Sequence, residues 1–375
     1  MRILFLEWKS IGNEYVISEF ETLGVKVVRM DMTKQGIDTR RDENFAAQIA
    51  KTILSEQADA VFSFNYFVTA AIACNACKVK YISWTYDSPF SQLYSKTITF
   101  PTNLPFTFDK EECIKLHKLG AENVKYLPLC APVEYYDSLN NSKEMADKFT
   151  ADVSFVGSMY TEEKNNLFRH IEKADDYTLG YIDGLFAMQK NIYGASILEK
   201  ALTKEIVERI HKVAPIYASG DGMESDEWII ANYYLARKLT SIERTEMIDL
   251  LKAGIGDVKV FGHVDYYNEA PFVMKNSQIN LNISLRSIVN AIPLRLFDIM
   301  GNGGFALTDY RGEMEEYFVA GEDYDYFDSK ESLVDKCRYY LSHEDERKDL
   351  AKSGYDKVKK YHTYRNRVET IMEYL

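Results

Sequence analysis

Short apolar runs alternating with helical stretches constrain this chain more than any other feature. Residues 2–6, 26–30, 60–64, 80–84, 106–108 and 124–127 read as strands, and helix-like segments such as 44–56 and 110–119 lie between them. Strands separated by helices do not pair as hairpins; they build a parallel sheet with helices on both faces. Pro128, Pro132 and the polar stretch 137–148 read as a boundary. A second such unit opens with Ala151-Asp152-Val153-Ser154-Phe155-Val156-Gly157-Ser158, and strands resume at 258–261, 279–283 and 305–307, with a weaker one near 324–327. Residues 162–253 are helical with mostly charged faces, longer than one crossover needs, and read as an insertion. Amphipathic helices at 332–341 and 344–361 close the chain. The expectation is α/β: two Rossmann-like, doubly wound domains facing a cleft, 1–148 and 149–353, with the helical insertion in the second. The length of 375 residues accommodates both.

Composition narrows the class. A net charge of −12 argues against non-specific nucleic-acid binding, which needs a basic surface. A hydrophobic content of 46% and a charged content of 27% are those of a soluble globular protein. No apolar run approaches the roughly 20 residues of a membrane span. The opening MRILFLEWKS is too short in its apolar part for a secretory signal and reads as a buried strand. With five cysteines and no disulfide framework, the expected location is the cytoplasm. Cys74-Asn75-Ala76-Cys77 lacks the second pair of a zinc site and falls at a helix end, so it reads as structural. The 27 Tyr and 20 Phe supply rings of the kind on which sugar C–H faces pack, although half-buried packing is their ordinary role.

Chemistry concentrates in residues 290–318. A helix opens behind Pro293, runs through Leu294, Leu296, Phe297 and Met300, and stops at Gly301-Asn302-Gly303-Gly304 before the apolar Phe305-Ala306-Leu307. Asp298 lies one turn before the glycines, with Arg295 three residues earlier on nearly the same face. A carboxylate for a cis-diol, a guanidinium for phosphate and bare N–H groups at Gly303 and Gly304 together suit a nucleotide-diphosphate sugar. Arg286 follows the strand 279–283 at the end where ligands of such sheets bind, which favours it slightly over Arg295 for the diphosphate. His263 follows a strand and a glycine, placed to touch nucleotide or sugar. In the first half, Asp87 follows the strand 80–84 and precedes Ser88-Pro89; it is the candidate base for an acceptor hydroxyl, or else a turn-capping Asp. Asp323-Tyr324-Asp325 mimics a metal-binding D-x-D but reads as a solvated acidic loop.

These pieces resemble the C-terminal domain of bacterial glycosyltransferases related to spore-maturation proteins. The matching segments are Val260-Phe261-Gly262-His263-Val264, Gln278-Ile279-Asn280-Leu281-Asn282-Ile283, Pro293-Leu294-Arg295-Leu296-Phe297-Asp298, Gly303-Gly304-Phe305, Thr308-Asp309 and His362-Thr363-Tyr364-Arg365-Asn366-Arg367. Trp84-Thr85-Tyr86-Asp87-Ser88-Pro89, Tyr126-Leu127-Pro128-Leu129 and Ser154-Phe155-Val156-Gly157-Ser158 match earlier in the chain. The resemblance implies the GT-B fold, a donor held mainly by the second domain, and a final helix from about 354 that returns to the first. It adds Asn282 and Phe305 to the donor-side residues. It also implies no cofactor: a nucleotide sugar, most simply a UDP-sugar, is the substrate, and side chains and helix N-termini rather than metal neutralise the leaving diphosphate. The acceptor would be a hydroxyl of a protein or surface glycan. Many retaining relatives carry two Glu eight residues apart; Asn290 and Asp298 occupy those places here, which leaves the stereochemistry open. A nucleotide-sugar epimerase and a non-catalytic nucleotide- or sugar-binding partner are the competing readings.

Overall fold

The computed structural model describes residues 1–33 and 36–375. It divides into two compact units, Met1–Leu129 with Ser219–Glu224 and Tyr364–Leu375, and Cys130–Ala218 with Ser225–Thr363.

In the first unit β1 (Arg2–Glu7), β2 (Lys26–Asp31), β3 (Ala60–Phe64), β4 (Lys80–Thr85), β5 (Asn103–Thr107) and β6 (Lys125–Tyr126) form one sheet of order β2-β1-β3-β4-β5-β6. Every pairing is parallel, as between Ile3 and Ala60. Helices α1 (Asn13–Thr22), α2 (Glu43–Glu56), α3 (Val68–Cys77) and α4 (Lys110–Lys118) make the crossovers. Strands β1 and β3 are continuous apolar runs because helices cover both faces; Ile3, Leu4, Phe5 and Leu6 are each 0% exposed. The Asp42 side chain opens α2 by accepting from Phe45 N at 2.9 Å. The terminal helix Tyr364–Met372 packs on α1 through Tyr15–Tyr364 and an Arg365–Glu19 ion pair. β2 lies on one side of β1 and β3 on the other, so the sheet reverses its direction of growth between β1 and β3.

The second unit opens with α5 (Val133–Ser138) and α6 (Lys143–Phe149) before β7 (Ala151–Val156). Then come α7 (Asp176–Gln189), α8 (Lys204–His211), α9 (Asp226–Ile229) and, through a π-helical turn at Ile230–Leu235, the long α10 (Ala236–Gly254). The sheet resumes with β8 (Val258–Phe261), α11 (Ala270–Asn276), β9 (Ser277–Asn282), α12 (Leu294–Gly301), β10 (Ala306–Asp309) and β11 (Asp325–Phe327), and α13 (Lys330–Ser342) and α14 (Glu344–Tyr361) follow. Its order is β11-β10-β9-β7-β8, all parallel, with the reversal between β7 and β9. The helices between β7 and β8 bury their own apolar cluster, including Ile182, Phe186, Ile206, Ile210 and Leu239. Phe155, Leu281 and Leu307 form the sheet core with Met247 and Leu251. Helix α10 thus serves both cores, its first half in one and its second half in the other.

Three details differ from the sequence-based reading. Residues 130–148, expected with the first domain, fold with the second unit, whose Phe149 packs against Phe272 and Val273. The return to the first unit begins at Tyr364 rather than near 354, because α14 runs unbroken to Tyr361 and His362 is buried against Phe297 and Phe318. Asp323-Tyr324-Asp325 is buried, not solvated: Asp323 pairs with Lys357, and Asp325 holds Lys336 and the Tyr340 hydroxyl. Among the described residues no helix is long and apolar enough to cross a membrane.

Candidate functional site

Ligands of open parallel sheets gather outside the carboxyl ends of the strands where the order reverses. In the second unit that place lies beyond β7 and β9, and two arginines meet there. Arg244 comes from the middle of α10. Its Nε donates to Ile283 O at 3.0 Å and its Nη1 to Ser158 O at 2.5 Å, so it ties together the chain leaving both strands. Arg295 comes from the first turn of α12 and donates to Asn282 Oδ1 at 3.3 Å. Both guanidiniums lie over the Phe155 ring, 5.0 Å and 5.1 Å from its centre. Gly157 makes room for them: it has φ of +141°, and a Cβ there would overlap Arg295 Nη2.

Among the described residues both arginines bond neutral oxygens, with no carboxylate ion pair. Burial, and then the Arg244 charge alongside, push Arg295 down to about 10. Burial lowers Arg244 as well. Two desolvated like charges without a counter-ion cost several kcal/mol apiece, so the arrangement is complementary to an anion with more than one charged oxygen.

Asp298 lies one turn further along α12 and is 3% exposed. Tyr136 and Tyr266 donate to the same oxygen, Oδ1, at 2.8 Å and 3.0 Å. No donor among the described residues meets Oδ2, which leaves it available to a hydroxyl. Burial raises this carboxyl to about 7 against the lowering effect of both tyrosines and of Arg295.

The remaining expected residues divide. Arg286 does not offer its guanidinium to a phosphate: Nε and Nη2 clasp the Glu243 carboxylate, Nη1 donates to Ile192 O at 3.1 Å, and the side chain is 7% exposed. Asn282 is fully buried; it orients Arg295 and donates to Ser284 Oγ and Thr308 Oγ1, so it positions rather than contacts. His263 is exposed beyond β8, in an open recess of about 550 Å³ with Glu162, Lys164 and Arg169, and Gly157 N bonds Phe261 O just before it.

Gly303, Gly304 and Phe305 fall at the opposite edge of the sheet. They follow the end of α12 and precede the start of β10, because a crossover helix runs antiparallel to its strands. Their N–H groups are not bare: Gly303 N bonds Met300 O and Gly304 N bonds Ile299 O, closing the helix end. Gly304 is required by packing, since a Cβ would sit 2.6 Å from Met274 O. Phe305 is core, with its ring 4.5 Å from that of Tyr340. Asn290 is spent on backbone, donating to Gly194 O and accepting from Gly312 N, so no carboxylate substitutes for the first Glu at that position.

In the first unit Asp87 is exposed just past β4, and its Oδ2 accepts from Asn65 Nδ2 at 2.7 Å. The C-x-x-C thiols are free, and burial pushes the Cys74 thiol far up, so neither is poised as a thiolate.

Sequence reasoning missed Arg244, Tyr136 and Tyr266. Arg244 did leave a signal: it sits on the buried stripe of α10 with Thr240, Met247, Ile248 and Leu251, where a cation is costly without a purpose. The tyrosines come from α5 and from the loop after β8, and nothing in the sequence pairs them with Asp298.

A family model described as Glycosyl transferase-like matches residues 237–373. No curated protein sequence matches the chain. Among solved structures, a glycosyltransferase from Rickettsia africae is 14% identical, with a TM-score of 0.57 over 100% of this chain and 97% of the other. Anabaena Alr3699/HepE in complex with UDP-glucose is 12% identical, with a TM-score of 0.55 and 100% of both chains covered. Sucrose-phosphate synthase from Thermosynechococcus elongatus is 9% identical, with a TM-score of 0.57 over 100% and 98%. The two parallel-sheet units are those of the GT-B fold.

Proposed function

We propose that this chain transfers a sugar from a nucleotide-diphosphate sugar, with UDP as the nucleotide, to a hydroxyl acceptor. The observation that carries the proposal is the Arg244–Arg295 pair, buried without a carboxylate counter-ion at the reversal of the second sheet beside Gly157. The diphosphate would meet the two guanidiniums, and the free Asp298 Oδ2 would take the ribose hydroxyls. A solved structure of the same fold holds UDP-glucose, which supports the choice of nucleotide.

In the proposed reaction the acceptor oxygen bonds to the anomeric carbon and the bond to the diphosphate oxygen breaks. UDP leaves with the electron pair, and the acceptor proton passes to a carboxylate, for which Asp87 stands as the proposed base. Arg244 and Arg295 would carry the charge that builds on the leaving diphosphate, so no divalent metal is assigned to the step. Kinship with the spore-maturation-related glycosyltransferases, and a cytoplasmic setting suited to five cysteines outside any disulfide, belong to the same proposal.

Calorimetric titration with UDP, GDP, dTDP and CMP, beside UDP-glucose turnover with and without chelator, tests it. UDP binding that Arg295→Ala removes, with chelator-resistant UDP release, is the expected result. Binding indifferent to that substitution refutes the donor site. Isomerised nucleotide sugar without UDP release would make the protein an epimerase.

A further inference from the structure

The first sheet also reverses its growth, between β1 and β3, and what lies beyond those strand ends is not a phosphate site. Trp8 follows β1 directly, and its Nε1 donates to Phe64 O at the end of β3, 2.8 Å away. Tyr86 follows β4, and its ring stacks on that of Trp8 with centres 5.9 Å apart and planes 15° from parallel. At that spacing the rings are offset, and both are partly exposed. Phe67 meets Trp8 edge-on at 6.1 Å and Phe64 meets Tyr86 at 5.6 Å, so the pair is backed from below and held in one orientation.

A carboxylate is fixed beside this platform. Asn65 follows β3 with φ of +58°, a left-handed conformation that Asn tolerates better than most residues. Its amide accepts from Tyr86 N at 3.2 Å and donates to Asp87 Oδ2 at 2.7 Å. One buried side chain therefore sets the register of both the ring and the exposed carboxylate. Flat apolar rings next to an oriented carboxylate match a pyranose, whose C–H face packs on a ring while neighbouring hydroxyls bond to an acid. A peptide acceptor would call instead for backbone donors and acceptors along a strand or groove.

We propose that the Trp8–Tyr86 pair, with Asn65 and Asp87, is a saccharide-binding platform, and that the acceptor of the proposed transfer is a carbohydrate rather than a protein side chain. The assignment of its occupant as the acceptor rests on the glycosyltransferase reading. The binding of a saccharide there does not.

The chain carries its own reporter. Of its three tryptophans, Trp84 and Trp228 are 1% and 3% exposed, which leaves Trp8 as the one open to a collisional quencher. The full-length protein is titrated with methyl α-glucopyranoside, methyl β-galactopyranoside, cellobiose and a serine-containing peptide. Acrylamide quenching and saturation-transfer NMR are followed, and UDP affinity is measured on the same samples. We expect at least one saccharide to shield Trp8, with saturation reaching the C–H protons of one sugar face. Tyr86→Ala should weaken that binding about tenfold while leaving UDP affinity and the melting temperature near wild type. Trp8→Phe, which keeps a ring and loses only the indole donor, should retain most of it.

The inference is overturned if no saccharide at tens of millimolar shields Trp8, if the peptide alone does, or if Tyr86→Ala binds saccharide as wild type does. Saccharide binding in a protein that ignores UDP would sink the donor reading and leave this platform standing. UDP binding without saccharide does the reverse.

Discussion

Replacing Asp298 by Asn isolates the charge of the residue proposed to hold the ribose. Alanine is the poorer probe, because it removes the acceptor shared by the Tyr136 and Tyr266 hydroxyls along with the charge. Asn keeps an oxygen for both and removes the carboxylate. Hydrogen bonds to a charged acceptor are worth about 1.5–3 kcal/mol, so UDP-glucose should bind roughly tenfold to a hundredfold more weakly at about pH 8. The wild type adds a pH signature. Burial holds Asp298 at about 7 in the free protein, so the carboxyl must lose a proton before it can accept two hydroxyl donors. Affinity should therefore fall about tenfold for each pH unit below 7, whereas the Asn variant stays flat and the two curves converge. UDP-glucose is the right ligand because its diphosphate lacks the terminal group of UDP that titrates near 6. Calorimetry in buffers of different ionisation enthalpy should show proton release on binding at about pH 6 in the wild type only. A wild-type affinity unchanged between pH 8 and 6, or an Asn variant that binds like wild type at pH 8, refutes the assignment. The same group bears on stability with the opposite sense: the folded protein keeps a proton that the unfolded chain releases above about 4, so ligand-free stability should rise as pH falls from about 7 to about 4.

Gly157→Ala should weaken UDP-glucose binding by about tenfold or more in calorimetry, since the added methyl displaces Arg295 and the residue sits at φ +141°. Gly304→Ala should do the reverse: a Cβ 2.6 Å from Met274 O costs about 1–3 kcal/mol in thermal melts, while the folded fraction binds nucleotide normally. Asp87→Asn should lower the transfer rate at saturating donor without changing nucleotide affinity, and an unchanged rate would remove it as the base. Glu112→Gln should raise the melting temperature by several degrees at about pH 8 and hardly at pH 5. Burial and the neighbouring Asp109 raise the Glu112 carboxyl well above its ordinary range, so wild-type stability is lost as pH climbs above the unfolded value, and Gln removes that loss while still accepting from Thr107.

What the sequence determined by itself was the architecture. Parallel strands buried on both faces must be runs such as Ile3-Leu4-Phe5-Leu6, and helices must cross between them, so apolar periodicity alone carries the two sheets and nearly all their strands. Local spacing also put Arg295 and Asp298 on one helix face, because three residues are nearly one turn. Spacing could not say which of two arginines is free. Arg286 follows a strand and Arg295 opens the next helix, and only the packing of α10 against the sheet brings Glu243 to the first and Arg244 to the second. Nor could it show that the Gly303-Gly304 turn lies at the far edge of the sheet from the arginines, since that follows from the direction of α12 in three dimensions. Tyr136, Tyr266 and Arg244 reach the site from segments far apart along the chain. Such long-range meetings depend on how whole elements stack, whereas a residue's neighbours in sequence record only its own helix or strand. The tertiary structure alone therefore decided which charges are neutralised by a carboxylate and which are buried without one.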